Sequence, residues 1–382
     1  MNKTALIFGC TGMDGSHLSD MLLDKGYSVI GIKRRSSTNN LGNLSYSLTK
    51  PDFKLIEGEI TDPSSMNNII SRYKPDECYL MAAMSHVGTS FEEPAHTFQV
   101  NTIGPLYILE AIRLYSPKTR LLQASTSEMF GNNYNEEVKG TFIGMQENAN
   151  CFGYDDDYRV EKYQDENTSL SPNSPYAIAK TAAHHLIRMY RDAYNIHCSA
   201  AISFNHEGER RGENFVTRKI TKYIAGLHSW MKKVGVTYEW LVTASDNEIC
   251  CAGREEAGVG LEFPKLKLGN IDAVRDWGYS PDFCEAFYTI LQCDTPDDYV
   301  VCTGEEHSIR EFLDEAFLFI GISDWSKFVQ IDKDLYRPNE VPYLKGNCDK
   351  IKKKLGWEPK TKFEELVKKM LYNDISNTID KR

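Results

Sequence analysis

From Thr4 to Gln123, short apolar, β-branched runs alternate with longer stretches of helical periodicity, a pattern that few folds accept. Thr4 to Phe8, Ser28 to Ile32, Phe53 to Ile56, Cys78 to Met81 and Arg120 to Gln123 read as strands. Ser16 to Lys25, Pro63 to Tyr73 and Pro94 to Tyr115 read as the helices between them. Strands joined by crossover helices lie parallel, so the pattern predicts an α/β fold with a Rossmann-type doubly wound parallel sheet. The second half predicts helices over Pro175 to Tyr194, Phe215 to Met231, Pro281 to Cys293, Ile309 to Ile320 and Phe363 to Tyr372. It also predicts a late sheet strand near His197 to Ile202, a short strand at Val300 to Thr303, and a smaller mixed α/β C-terminal lobe. Two polar, weakly periodic stretches, Asn132 to Pro172 and Lys232 to Pro264, read as long loops of the kind that carry function.

The 382 residues carry 44 Lys and Arg against 54 Asp and Glu, a net charge of −10 that disfavours general nucleic-acid or anionic-membrane binding. An anionic ligand must therefore meet a local cluster of Arg and Lys. The ten cysteines include no Cys-x-x-Cys pair, and the adjacent Cys250 and Cys251 lack partners at zinc-finger spacing. They read as reduced thiols packed as small hydrophobes, and no metal site is expected. There is no apolar signal core and no run near the roughly 20 residues of a membrane span, so residence in the cytoplasm is expected.

Gly9-Cys10-Thr11-Gly12-Met13-Asp14-Gly15 lies between the first strand and the first helix. Three glycines at this spacing let the backbone turn tightly and approach a pyrophosphate, which then sits on the helix N-terminus. At the end of the second strand, where an acid often meets the ribose hydroxyls of NAD, this chain reads Lys33-Arg34-Arg35-Ser36-Ser37. Guanidinium groups and hydroxyls suit a 2′-phosphate, which favours NADP. The expected division is thus residues 1–204 as mainly the NADP-binding domain, with an insertion at about 132–172. Residues 205–382 form mainly the substrate lobe, with an insertion at about 232–264 and some segments returning to the first domain.

Tyr176 and Lys180 are four apart on a predicted helix and share one face. A nearby ammonium is expected to lower the tyrosine's pKa by roughly 1–3 units, so that the phenolate can take a proton from a sugar hydroxyl while hydride leaves for a nicotinamide. Ser125-Thr126-Ser127-Glu128 ends an apolar run at the carboxyl edge of the sheet, where such folds bind ligands. Once C4 of a hexose is a ketone, the C5 hydrogen is acidic and the C6 hydroxyl can leave. Glu128 is suited to remove the first and protonate the second, and Thr126 to hold the C4 oxygen.

Ordered pieces along the chain then resemble the GDP-mannose 4,6-dehydratase family of extended short-chain dehydrogenase/reductases. They include Thr11 to Ser16, Arg34 to Ser37, Gln123 to Glu128, Ser174 to Ala177, Phe204 to Glu207, Arg210 to Gly212, Asn214 to Ile220, Gly269-Asn270 and Arg275 to Gly278. The likeness runs from Lys3 to about Met370. It implies a catalytic set of Thr126, Glu128, Tyr176 and Lys180. NADP would be bound by Gly9, Thr11, Gly12, Met13, Asp14, Gly15, Arg34, Arg35, Ser36, Glu59, Ile60, Ala82, Tyr176, Lys180 and His206. A GDP-sugar would be held by Ser85, Asn205, Val216, Arg218, Lys219, Gly269, Arg275, Arg337 and Glu340. It further implies assembly into a homodimer or homotetramer through the Arg34 to Asn43 loop.

Three departures stand out. Glu59 replaces an expected Asp beside the adenine, and Asn43 replaces an expected arginine, which would weaken NADP binding or the subunit contact. Glu128 and Tyr176 stand 48 positions apart, more than the family pattern leads one to expect. That insertion is read as a lid over the sugar, and it admits a GDP-heptose in place of GDP-mannose. A nucleotide-sugar 4-epimerase, which has no use for Glu128, and a non-catalytic NADP-binding protein are the competing readings. His184-His185 read as partly exposed helix residues, Asp155 to Asp157 as a solvated acidic loop, and Lys350 to Lys354 as a helix face.

Overall fold

The computed structural model describes residues 2–36, 41–140, 142–145, 152–154, 159–238, 240 and 263–379. Seven parallel strands form the central sheet: β1 (Thr4–Phe8), β2 (Ser28–Lys33), β3 (Phe53–Glu57), β4 (Glu77–Leu80), β5 (Arg120–Thr126), β6 (Cys198–Ser203) and β7 (Asp298–Val301). Their order across the sheet, β7-β6-β5-β4-β1-β2-β3, reverses direction beside β1. The reversal opens a crevice beyond the carboxyl ends of β1 and β4, where such sheets receive ligands.

Alternation along each strand sorts side chains onto two faces. Leu6 and Phe8 pack with helices α2 (Pro63–Tyr73), α3 (Gly104–Tyr115) and α4 (Pro175–Tyr194), through Ile69, Ile108 and Ile187. Ala5 and Ile7 pack on the other face with Leu18 and Leu22 of α1 (Met13–Asp24) and Phe283 and Phe287 of α6 (Ser280–Gln292). Both faces are covered, which explains the nearly unbroken apolar runs that the strands show in the sequence. A third apolar cluster joins α5 (Val216–Val234), α7 (Ile309–Leu318) and α9 (Phe363–Ile379), with α8 (Asp349–Leu355) lying beside the sheet instead.

The helix expected from Pro94 to Tyr115 is broken. It runs from Pro94–Phe98, passes through a wide π-type turn at Gln99–Ile103 and resumes as α3. Pro105 has no N–H and its ring crowds the preceding turn, so the regular hydrogen-bond ladder cannot run through Gly104. The widened turn aims Asn101 at the loop after β4, where its amide accepts from Met84 N at 2.8 Å and donates to Met84 O at 3.0 Å.

The insertion after β5 is not a structureless loop. Asn135–Lys139 pairs antiparallel with Arg159–Tyr163, and Phe142–Met145 pairs with Phe152–Tyr154. Its base docks on the chain near 343–347: Tyr134 donates to Tyr343 O at 2.9 Å, Gln164 N to Lys345 O at 2.9 Å and Asn347 N to Gln164 O at 2.9 Å. The acidic residues 155–157 and most of the second long loop, including residues 241–262, lie outside the described residues. Cys10, Cys78, Cys198, Cys284 and Cys302 are buried free thiols. Among the described residues no helix is long and apolar enough to cross a membrane, and no cluster of His, Cys, Asp or Glu is arranged to hold a metal.

Gly131 closes the base of the insertion at φ +55°, and a Cβ there would lie 1.9 Å from Ser171 O. Ser171 N in turn donates to Met129 O at 2.9 Å, next to Glu128. Gly131→Ala is expected to cost about 1–3 kcal/mol in backbone strain, to lower the midpoint of thermal unfolding, and to reduce turnover more than it weakens nucleotide binding.

Candidate active site

One cleft of about 1330 Å³ runs along the carboxyl edge of the sheet and under α5. At its nucleotide end, Gly9 leaves β1 at φ +80°, and a Cβ there would lie 2.7 Å from Ala82 N. A Cβ on Gly15 would meet Gly9 O at 2.3 Å. These contacts exclude side chains where the loop turns into α1. Gly12 stands at the N-cap of α1 without a side-chain cap, so no capping side chain screens the first-turn N–H groups from an incoming anion. The cradle fits a dinucleotide pyrophosphate. Thr11, Gly12, Met13, Asp14, Arg34, Glu59, Ile60 and Ala82 line the same end.

Asp14 and His206 lock this end of the cleft. His206 Nε2 lies 2.9 Å from Asp14 Oδ2, its Nδ1 lies 2.7 Å from Phe204 O, and its ring stacks on Phe283 at 4.5 Å. Burial opposes charge on both groups, yet their mutual attraction wins. Asp14 is held down to about 2, with Ser280 donating to its other oxygen at 2.7 Å, and His206 is raised. The Asp14 carboxylate is thus committed to His206 and Ser280. Asn43 contributes without being an arginine: its amide donates to Thr11 O at 3.1 Å and Arg210 O at 3.4 Å, lacing the glycine loop to the far wall.

The centre of the cleft holds the four expected catalytic groups. Ser174 caps α4 by accepting from Ala177 N at 3.1 Å, and Pro175 fills the first turn. That start places Tyr176 and Lys180 on the buried face, 7% and 5% exposed. Thr126 ends β5 in register with Ser203 and caps the short turn Ser127–Phe130, its hydroxyl accepting from Glu128 N at 3.3 Å. Burial pushes the Tyr176 phenol up to about 12, against a lowering hydrogen bond from Thr126. Lys180 is pushed down to about 8 by burial, and its Nζ donates to Ala124 O at 2.8 Å. The expected lowering of Tyr176 by the Lys180 ammonium is therefore not the net result. Desolvation sets the direction, the lowering influences on Tyr176 come from Thr126 and Arg211, and Lys180 is turned to the strand.

At the outer end, Ser85, Asn205, Val216, Lys219, Gly269, Arg275, Arg337 and Glu340 all line the cleft. Arg218 does not. Its guanidinium sits 2.8 Å from Asp374 of α9 and the residue is 8% exposed, so the arginine expected to hold substrate is a buried tie between α5 and α9. Arg35 and Ser36 also lie outside the cleft lining and are exposed, while Ser37 is outside the described residues. The described side chains of the insertion, in residues 132–140 and 159–172, do not line the cleft, and the side chains of its remainder lie outside the described residues. His184 is buried against Asp298 at 3.7 Å and pushed down to about 4 by burial, where a partly exposed residue is expected from the sequence; of the two histidines only His185 is exposed.

Arg211 falls within the Arg210 to Gly212 motif, which by itself assigns it no role. It lines the cleft with Glu207 at 2.9 Å and its guanidinium 3.5 Å from the Phe215 ring centroid. An arginine directly after another, ahead of a glycine and a helix start, was the available signal.

Residues 5–302 match the NAD dependent epimerase/dehydratase family, and residues 255–370 match GDP-mannose 4,6 dehydratase. The chain is 40% identical to GDP-mannose 4,6 dehydratase 1 of Arabidopsis thaliana, with 98% of this chain and 90% of the relative covered. It is 36% identical to the human GDP-mannose 4,6 dehydratase, covering 98% and 91%.

The chain belongs to the GDP-mannose 4,6-dehydratase family.

Its fold also matches a crystal structure of dTDP-glucose 4,6-dehydratase from Streptomyces venezuelae with NAD bound (TM-score 0.74, 19% identity, covering 98% of this chain and 97% of that one).

The Asp14–His206 pair carries a pH signature. His206 has a raised folded pKa, so its contribution is full below about pH 6.5 and is lost as pH rises through the folded value. Asp14 has a lowered one, so its contribution is full above about pH 4 and is lost as pH falls towards 2. Asp14→Asn is therefore expected to cost roughly 2 kcal/mol near pH 5 and less at pH 9, as read by denaturant unfolding at the two pH values.

Proposed function

We propose that this protein is a GDP-mannose 4,6-dehydratase, acting on GDP-mannose or a close GDP-sugar such as a GDP-heptose, with NADP as its resident nucleotide. The observation that carries the reading is the placement of Glu128 in the same cleft as Tyr176, Lys180 and Thr126. An epimerase has no task for that carboxylate, and a silent binding protein has none for any of the four.

Gly9, Gly12, Gly15 and the start of α1 would hold the pyrophosphate, with Arg34 at the ribose end. The nucleotide supplies a hydride acceptor when bound. Tyr176, buried and in contact with Thr126, is placed to take the proton from the C4 hydroxyl as that carbon is oxidised; burial keeps it a neutral phenol in the free protein, and the positive charge that a bound nicotinamide would place beside it favours the phenolate this step needs. Thr126 donates to the resulting C4 oxygen, which stabilises the enolate that forms on loss of the C5 proton. Glu128 removes that proton and delivers one to the C6 oxygen, so water leaves and a double bond joins C5 and C6. The hydride would return to C6 from the bound nucleotide, and the proton taken up by Tyr176 would be passed to C5, which gives the 4-keto-6-deoxy sugar with no net redox change. Burial of the tyrosine and lysine keeps water from competing for these protons. Lys219, Arg275 and Arg337 supply the cations for the diphosphate that the overall acidic chain must gather locally. NADP over NAD rests on Arg34, which lines the cleft at the end of β2, and residence in the cytoplasm and a homo-oligomeric assembly complete the reading.

Purified protein mixed with GDP-mannose should release a product lighter by one water, with no net change in reduced nicotinamide; a product of unchanged mass would select the epimerase. Glu128→Gln should abolish water loss while the nucleotide stays bound, and Tyr176→Phe should cost about 10² or more in turnover. Wild-type rates in either variant, measured by mass spectrometry of the products, would remove the assigned role.

A further inference from the structure

Four alternating charges connect the catalytic turn to the outer end of the cleft. Arg337 Nη1 lies 3.7 Å from Glu128 Oε1 and 3.6 Å from Glu340 Oε1, and Glu340 Oε1 lies 2.9 Å from Arg275 Nη2. The two arginines are not equivalent. Arg275 is 5% exposed, and its other terminal nitrogen donates to Val274 O at 2.8 Å, so it is fixed in place. The Arg337 side chain is 34% exposed and sits beyond hydrogen-bond distance from both carboxylates. Charge alone holds it between them, and it can turn to another anion without breaking a short bond.

We propose that Arg337 is a substrate-exchanged latch on Glu128: it neutralises the carboxylate in the free protein and transfers to the diphosphate when the nucleotide sugar enters. This rests on the GDP-sugar reading above and deepens it. Two carboxylates and two guanidiniums balance in the free protein. A diphosphate arriving beside Glu128 and Glu340 competes with them for Arg337, the less firmly held of the two guanidiniums. Its movement onto the diphosphate takes away the mobile one of the two guanidiniums that act on Glu128, the other being the fixed Arg275, and leaves the carboxylate less neutralised where it faces the sugar. Binding of the distal anion thus arms the group that works on C5 and C6. Arg337 is a positioning residue in this scheme: it acts on the sugar only through Glu128.

The latch predicts a particular non-additivity in binding, since GDP must break the Arg337–Glu128 contact before it can use Arg337. Titration calorimetry of GDP into the purified, nucleotide-loaded protein measures it with no turnover. Glu128→Gln should tighten GDP binding by about fivefold to tenfold, and Arg337→Gln should weaken it. In the Arg337→Gln background, the added Glu128→Gln should change the dissociation constant by less than about twofold. Arg337→Lys, which keeps the charge, should preserve a part of the coupling. Equal tightening by Glu128→Gln in both backgrounds would show plain repulsion between the carboxylate and the phosphates and would overturn the latch. So would an unchanged constant in the single variant. Wild-type protein that bound no GDP would overturn the substrate reading, and the latch with it.

Discussion

The parallel register of the central sheet is the constraint on which the cleft depends. Phe8 stands beside Leu80, Leu80 beside Gln123 and Thr126 beside Ser203, so four neighbouring strands release the chain along one edge. The glycine loop, the Met81 to Ser85 segment, the Glu128 turn and the Asn205-His206 segment are the four exits. Each is short and follows a buried strand, so its side chains are placed by the sheet and not by loop packing. Burial of both sheet faces under helices holds that register, since a slip of one residue would carry Leu6 and Phe8 to the opposite layer.

Within the cleft, desolvation sets the chemistry before any ligand enters. It raises Tyr176, lowers Lys180 and opposes the charges on Asp14 and His206, yet the last two remain an ion pair because they are 2.9 Å apart and share further hydrogen bonds. The contrast is one of partners. Asp14 and His206 satisfy each other, so the nucleotide end is rigid. Tyr176 and Lys180 do not neutralise each other, so the centre stays poised for groups that arrive with the substrate and nucleotide.

Much of this was legible in the sequence because it depends on short-range rules. The strands of the first half follow from apolar runs of the right length, and the start of α4 follows from Ser174 and Pro175. Most of the residues that line the cleft were legible as motifs at strand ends or, for Tyr176 and Lys180, at a helix start. What escaped were features set by distant partners. Arg218 looks like a ligand residue among its neighbours, but Asp374, far along the chain, claims it. The break at Gly104 was signalled by Pro105 and missed because the apolar period continues through it. His184 sits on a helix face whose burial is decided by Asp298. The hairpin in the insertion alternates too weakly to announce itself, and its strands are fixed by the segment around Gly346.

That hairpin changes how the long insertion bears on the site. Its base is tied at one end to the Glu128 turn, through Ser171 and Met129, and at the other to the stretch that follows Glu340, through Gln164 and Tyr134. Asn339, between Arg337 and Glu340, donates to Asn173 O at 3.2 Å at the insertion's exit. The insertion therefore spans from the carboxylate that acts on the sugar to the strap that carries the cation facing it. A segment that merely covered the cleft could vary in length without consequence for these groups. A segment fastened on both sides sets the separation of Glu128 and Arg337, and with it how far that arginine must travel to reach an incoming anion.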